Sequence, residues 1–281
     1  MKLYPVHAGN FLLDGGAMFG VVPKVMWSRV YPADEDNRCT WAMRCLVAEH
    51  DGRLVLIDNG IGEKQDETFF SRFPRCGEHT LERSLQRHGF SPDDITDVVI
   101  THLHFDHCGG SVRWNRDRTA YEPAFKNARY WVSRKQWEWA IRPHAREKAS
   151  FLSENIMPIQ QSGLLRLVEK EGELFPGIRV KFTYGHTEAQ MIPHISCCGT
   201  TVVFAADLFP SAAHVPVPWI MAYDIRPVET VREKESFLEK AAGRDWVLFL
   251  EHDSCNECCR VEKHNGGFRV KETFDLRDVT G

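Results

Sequence analysis

Four side chains that bind metals well occur within six residues, at His102, His104, Asp106 and His107. They directly follow the apolar run at residues 98–100. A strand ending near residue 101 would place His102 and His104 on the same side, because side chains alternate with a period of two along an extended chain. Asp106 and His107 fall one turn further on, where they can face a second metal. The spacing therefore predicts two metals rather than a lone structural histidine.

Three more potential ligands each follow a strand-like apolar run. They are His186, Asp207 and His252. In α/β proteins, sites form beyond the carboxyl ends of strands, so these positions predict that all the ligands converge on one rim. Imidazole and carboxylate ligands suit zinc, but they also suit iron, manganese and cobalt. The ligand types alone leave the metal open.

In these residues the chain resembles the metallo-β-lactamase superfamily. The HxHxDH signature lies at residues 102–107, and residues 56–60 resemble that family's early strand and Asp-Gly turn. The resemblance implies an α/β fold of the α+β type, a four-layer αββα sandwich of two mixed sheets flanked by helices. The ligands that it implies are His102, His104 and His186 for one metal, Asp106, His107 and His252 for the other, and Asp207 as the bridge.

Two divalent cations outweigh the charges of Asp106, Asp207 and a hydroxide, so the site favours negative charge that develops during hydrolysis. Zinc lowers the pKa of bound water from about 16 to about 7. We therefore expect an enzyme with two zinc ions, in which a metal-bridging hydroxide attacks a small ester-like substrate. Asp106 and Tyr223 are the catalytic candidates, with Tyr223 expected to stabilise an oxyanion or protonate a leaving group. Asp58 is expected to accept the free N–H of a ligating histidine.

Within the superfamily, the signature with Phe105 is most similar to the lactonase-like hydrolases, so a lactone of the acyl-homoserine type is the first expected substrate. Those enzymes commonly have a tyrosine three residues after the bridging aspartate, where this chain has Pro210. Phosphotriester or aryl-ester hydrolysis is therefore an alternative. An alternative of another class is a non-enzymatic metal-based or thiol-based redox protein. Candidate walls of the substrate pocket are Met18, Phe19 and Phe105.

The segment at about residues 111–178 has the length of an insertion and is rich in aromatic and basic residues. We expect it to cover the metals and to grip an organic anion or an acyl chain. The alternative is a helix that packs Trp137 and Ile141 inward and leaves a solvated charged face.

The chain has 281 residues and a formal net charge of −4. We expect a single domain over residues 1–281. The charge gives no general attraction to nucleic acid or acidic membranes. The N-terminal residues lack the long apolar stretch typical of a signal peptide, and no run of about 18 apolar residues occurs. These features predict a soluble cytoplasmic protein with a small-molecule substrate and no nucleic-acid or membrane partner, and they are compatible with a homodimer.

The nine cysteines are an odd number in a chain without an export signal, which predicts reduced thiols. Cys255 and Cys258 form a CxxC, followed by Cys259, and such a motif can be half of a structural zinc site. No second CxxC completes it. Cys197 and Cys198 could contribute if the fold brings them near.

Three elements follow from local patterns. Residues 45–48 and 54–57 flank an Asp-Gly turn and predict a β-hairpin. Residues 80–87 predict a helix that Gly89 ends. A capping box at residues 230–233 predicts the start of another helix, with Gly243 as its end and Lys234 as a break in its apolar face.

Overall fold

The computed structural model describes residues 1–280. The strands are β1 (Lys2–Asp14), β2 (Arg38–His50), β3 (Arg53–Ile57), β4 (Arg75–Cys76), β5 (Asp97–Val99), β6 (Val112–Trp114), β7 (Tyr121–Pro123), β8 (Arg129–Ser133), β9 (Leu165–Val168), β10 (Gly172–Phe175), β11 (Ile178–Thr183), β12 (Gln190–Cys197), β13 (Thr200–Phe204), β14 (Val247–Phe249), β15 (Cys258–His264) and β16 (Gly267–Phe274). The helices are α1 (Gly15–Phe19), α2 (Lys24–Trp27), α3 (Glu67–Arg72), α4 (Leu81–Arg87), α5 (Phe105–Cys108), α6 (Arg134–Ala140), α7 (Ser153–Gln161), α8 (Pro227–Arg244) and α9 (Arg277–Thr280).

The chain divides into two compact units. The first unit comprises Met1–Gly9, Met43–Glu171 and Ala189–Met191, and the second comprises Asn10–Ala42, Gly172–Glu188 and the chain from Ile192 onward. The expectation of a single domain stays a prediction.

A seven-stranded sheet in the order β4-β1-β2-β3-β5-β8-β9 supplies the framework of the first unit. Strands β3, β5, β8 and β9 run parallel, whereas β2 and β3 form an antiparallel hairpin. Parallel strands are covered on both faces, which explains why β5 is an uninterrupted buried run. Leu56, Val98 and Tyr130, from three neighbouring strands, are fully buried in one apolar cluster.

A second seven-stranded sheet, in the order β10-β11-β12-β13-β14-β15-β16, lies in the second unit apart from the start of β12. Its central pair, β13 and β14, is parallel, and β15 and β16 form an antiparallel hairpin. Phe204 and Phe249 stack with their ring centroids 5.6 Å apart at the ends of the central strands. Two large mixed sheets with helices confirm the predicted mixed α/β class.

Two of the three local predictions are confirmed. The β2–β3 hairpin turns at Asp51 and Gly52, both with positive φ, and Thr80 caps α4 by accepting a hydrogen bond from the Arg83 amide. The predicted start of α8 was wrong, because the helix begins at Pro227, in the first-turn position that proline favours. The segment at 111–178 includes β8 and β9 of the first sheet, and its role as a substrate cover stays a prediction.

Among residues 1–280, no helix is long and apolar enough to cross a membrane.

Candidate metal centre

The HxHxDH segment leaves the first sheet where β5 ends. The Ile100 amide still bonds to β8, and the chain then turns through His104, which precedes the one-turn helix α5. The following loop is held close to residues 59–62, since the Asn59 amide bonds to the His107 carbonyl and the Gly110 amide to the Gly60 carbonyl. A Cβ on Gly110 would collide with the Asn59 carbonyl oxygen, so this close approach needs glycine.

His102 and His104 face each other through their inner ring nitrogens. Thr101 Oγ1 donates to Asp58, so it accepts the Nδ1–H of His102 at 3.1 Å. The Nε2–H of His104 donates to Glu147 at 2.8 Å. With their outer nitrogens bonded in this way, His102 Nε2 and His104 Nδ1 lie 2.9 Å apart. Two imidazole nitrogens at that distance need a proton or a metal cation between them.

His107 is also oriented by a hydrogen bond at its outer nitrogen. Its Nδ1 lies 3.1 Å from Asp58 Oδ2, and a carboxylate can only accept, so Nδ1 carries the proton. Nε2 is then a lone pair, and the nearest Asp106 carboxylate oxygen is 3.8 Å away. Asp58 itself is fully buried and also accepts from the Thr101 amide at 2.7 Å. Its role towards a bound metal stays a prediction.

In the second unit, His186, Asp207 and His252 are buried together. The Nδ1–H of His186 donates to Asp224 at 3.0 Å, and the Nδ1–H of His252 donates to the Ala42 carbonyl at 2.7 Å. The Nε2 atoms of both rings therefore face Asp207, at 3.0 Å from Oδ2 for His186 and at 3.1 Å from Oδ1 for His252. Two imidazole nitrogens and a carboxylate that converge in this way, with the outer nitrogens already hydrogen-bonded, have an arrangement typical of metal ligands.

The charges around His186 favour a cation. Burial lowers the pKa of His186, but the nearby Asp207 and Asp224 carboxylates outweigh burial and raise the pKa to about 10. A field that attracts a proton so strongly also attracts a metal ion, which would replace that proton.

Glu147 and Asp224 are functional candidates that the sequence analysis missed. Glu147 is buried, and its second oxygen accepts from the Trp139 indole at 2.6 Å, so its position against His104 is fixed. Asp224 is also buried and accepts from the Met221 amide at 3.1 Å. Neither lies in a recognisable motif, although Asp224 directly follows the predicted Tyr223.

The other predicted site residues have different environments. Tyr223 is 39% exposed in the loop that carries Asp224. Met18 and Phe19 are buried in the second unit, where Phe19 stacks on His214 with centroids 4.7 Å apart. The exposed apolar side chains of that N-terminal segment are Val21, Val25, Met26 and Val30. The pocket role of Met18 and Phe19 stays a prediction.

Phe105 is nearly buried, next to Asp106, in a cluster of three phenylalanines. Its ring centroid lies 5.2 Å from that of Phe69 and 4.5 Å from that of Phe73. Phe69 and Phe73 are partly exposed, so the cluster offers an apolar surface beside the HxHxDH segment.

The cysteines are all reduced. Among residues 1–280, no group of three or more potential metal ligands includes a cysteine. The CxxC at Cys255 and Cys258 is therefore not part of such a group.

Residues 44–252, about three quarters of the chain, match the metallo-beta-lactamase superfamily. The chain belongs to the metallo-beta-lactamase superfamily. This is the family that the HxHxDH segment resembles, and the predicted membership is confirmed.

Several known proteins are similar to this chain. The N-acyl homoserine lactonase AiiA of Bacillus thuringiensis subsp. kurstaki is 28% identical over 196 residues, which are 66% of this chain and 66% of AiiA, just under two thirds of its length. A probable metal-dependent hydrolase from Staphylococcus aureus has a similar structure, with a TM-score of 0.87, 30% identity and 98% of each chain covered. AidC, a dizinc quorum-quenching lactonase, has a TM-score of 0.78 at 21% identity, over 97% of this chain and 95% of its own.

Proposed function

We propose that the chain is a dinuclear metal hydrolase that opens a lactone ring, with an N-acyl homoserine lactone as the first candidate substrate. The proposed ligands are His102, His104, Asp106, His107, His186, Asp207 and His252. The support from the first unit is the pair of ring nitrogens of His102 and His104 that face each other at 2.9 Å.

The chain's own residues keep these ligands ready to bind. Glu147, Asp224 and Asp58 each accept the proton on the outer nitrogen of a histidine, so the inner nitrogen is the one that can bind a metal. Divalent metals at such a site activate water near neutral pH and polarise the scissile carbonyl. Zinc is the first candidate, and iron, manganese and cobalt suit the same ligands. Tyr223 would donate its hydroxyl proton to the oxygen that leaves when the ring opens.

The observation that favours a neutral, apolar substrate is the Phe69, Phe73 and Phe105 cluster beside Asp106. An acyl chain could pack on its partly exposed rings. The basic residues of the 111–178 segment give less support to an anionic substrate, because several already have acidic partners. The paired cations are Arg113 with Glu122, Lys126 with Asp93, and Arg134 with Glu169. The lactonase activity of the relative AiiA also supports a lactone as the substrate.

The test uses metal-depleted protein reloaded with zinc, iron, manganese or cobalt, with metal content measured by elemental analysis. We expect about two metals per chain and hydrolysis of an N-acyl homoserine lactone, followed by acid release in a pH-stat. The matched comparison is Asp207→Asn, which should lose metal and most activity, against Asp117→Asn at an exposed carboxylate, which should retain both.

Turnover of a phosphotriester or aryl ester without turnover of any lactone, in protein that holds two metals, would replace the lactone proposal with the alternative hydrolase. One metal per chain in fully active protein would contradict the dinuclear site.

A further inference from the structure

Two consecutive cysteines form the tip of the β12–β13 hairpin. Cys197 pairs with Thr200, so Cys198 and Gly199 are the two central residues of the turn, with φ of 51° and 79°. This is the hairpin turn that favours Asn-Gly or Asp-Gly. Cysteine at a positive φ is unusual in such a turn. The conformation brings Cys197 Sγ and Cys198 Sγ to 3.4 Å from each other.

A second cysteine pair in the chain shows what the turn contributes. Cys258 and Cys259 are also consecutive, but they lie in β15, where they pair with Phe249 and Leu248 of β14. Side chains alternate between the two faces of a strand, so these two sulfurs point away from each other. The same dipeptide thus presents two converging thiols only at the turn.

The thiol pair opens onto a surface groove of about 670 Å³. The groove is also lined by Thr200, Trp246, Arg244 and Arg260. Arg260 contacts the Asp245 and Glu272 carboxylates, each at 3.1 Å, so the groove carries little excess charge. Cys198 is exposed and its thiol donates to the Thr280 carbonyl at 3.4 Å, while Cys197 is buried beneath it. A ligand can therefore reach the exposed thiol first, with the second thiol close by.

We propose that Cys197 and Cys198 form a dithiol site that chelates one thiophilic centre, of the class of trivalent organoarsenicals. Bonds of about 2.3 Å from each sulfur to one atom match a sulfur separation of 3.4 Å with little movement. With an arsenic(III) oxide, the two S–H bonds break, two As–S bonds form, and the oxygen leaves with both protons as water. The arsenic stays trivalent, so no oxidant or reductant is needed. The groove has room for the organic group.

The protonation of Cys197 favours this chemistry. Burial and the hydrogen bond with Cys198 raise the pKa of Cys197 to about 11, so it is a thiol at neutral pH. A reagent that carries both protons away as water suits a protonated thiol better than a bare metal ion, which must displace a proton.

The site is distinct from the metal centre. Strand β13 runs between them, with Cys198 before its first residue and Asp207 after its last. Ligand binding at the hairpin should therefore leave hydrolysis unchanged, and the two proposals can fail separately.

The test titrates metal-loaded protein with phenylarsine oxide and counts adducts by intact mass spectrometry under non-denaturing conditions. We expect one adduct per chain, which a small dithiol removes and a monothiol at equal concentration does not. Cys198→Ser and Cys197→Ser should each weaken binding by about 100-fold or more, because the second thiol acts at a high effective concentration. Cys255→Ser, at another exposed cysteine, should bind like the unchanged protein.

Melting temperatures of all variants show whether each is folded. If the buried Cys197 variant unfolds, the arsenical affinity of Cys198→Ser, at an exposed position, tests the dithiol site. An adduct that persists with equal affinity in Cys198→Ser, or that is lost in Cys255→Ser, would overturn the proposal.

Discussion

Glu147 contacts His104 from 43 positions further along the chain, and Asp224 contacts His186 across 38 positions. Each carboxylate holds one imidazole in a single tautomer and orientation. Replacing a residue that hydrogen-bonds to a metal ligand typically lowers metal affinity or activity by about 10- to 100-fold.

We therefore predict that Glu147→Gln weakens metal binding by about 10- to 100-fold. The new amide would direct N–H donors at either His104 or the Trp139 indole, both of which donate to Glu147. Competition with a chromophoric chelator measures the affinity. Glu122→Gln, at a partly exposed carboxylate of the same unit, is the control, and equal affinities in the two variants would contradict the role of Glu147.

Tyr223 is partly exposed, beside the buried Asp224. If its hydroxyl acts only in the transition state, Tyr223→Phe should lower kcat by about 10- to 1,000-fold with little change in KM. Steady-state kinetics on the lactone measures both constants, with Tyr121→Phe at another exposed tyrosine as the control. An unchanged kcat would remove Tyr223 from the mechanism.

Lys234 shows how a tertiary contact can explain an apparent break in the apolar pattern of a helix. It interrupts the apolar face of α8, yet it is buried, and its ammonium donates to the carbonyls of His214, Pro216 and Trp219 at 2.6, 3.1 and 2.6 Å. The side chain closes the loop that leads to Asp224. Burial lowers the pKa of Lys234 to about 7.

Replacing Lys234 with methionine leaves three carbonyls without this donor. Each buried unsatisfied group costs about 1–3 kcal/mol, and the removed cost of burying the ammonium offsets part of the sum. We predict that Lys234→Met lowers the free energy of unfolding by about 2 kcal/mol, measured by urea denaturation. Lys240→Met, at an exposed position of the same helix, should change it little, and equal stabilities would show that the three bonds contribute nothing net.

The start of α8 could not be predicted for a similar reason. The capping-box pattern at Thr230 and Glu233 is present, but Glu233 accepts from the Tyr184 and Gly185 amides at 2.6 and 3.0 Å. It thereby fixes the backbone just before His186 instead of capping its own helix. A local pattern cannot reveal a partner 49 positions away.

The mixed α/β fold class could be predicted from the sequence, because it depends on short patterns such as HxHxDH and apolar strands. The same patterns predict the ligand residues, whose role towards a metal stays a prediction. The sequence did not reveal Glu147 or Asp224, because single acidic residues carry no local signal. Nor could it reveal the burial of Phe19, since the N-terminal glycines are equally compatible with an open loop. Phe19 is enclosed by Trp27, Tyr31, Trp41 and His214.

His214 makes the stability of the molecule depend on pH. It is buried, with Nε2 donating to the Met18 carbonyl at 2.9 Å and Nδ1 accepting from the Ser211 hydroxyl at 2.8 Å. Burial lowers its pKa from 6.5 to about 3, and the Lys234 charge acts in the same direction against the Met18 hydrogen bond. Between about pH 6.5 and pH 3, the unfolded chain carries a proton on this ring that the folded chain does not. The free energy of unfolding must therefore fall as the pH falls through this window.

We predict that His214→Gln has a shallower loss of stability over that range, because its side chain takes up no proton in either state. Urea denaturation at a series of pH values, with unchanged and variant protein in the same chelating buffer, separates this contribution from metal loss. His264→Gln, at an exposed histidine of the β15–β16 hairpin, should follow the unchanged protein. Parallel curves for His214→Gln and the unchanged protein would mean that His214 does not couple folding to proton binding. A shallower curve would show that enclosing this ring within the second unit makes the fold sensitive to acid.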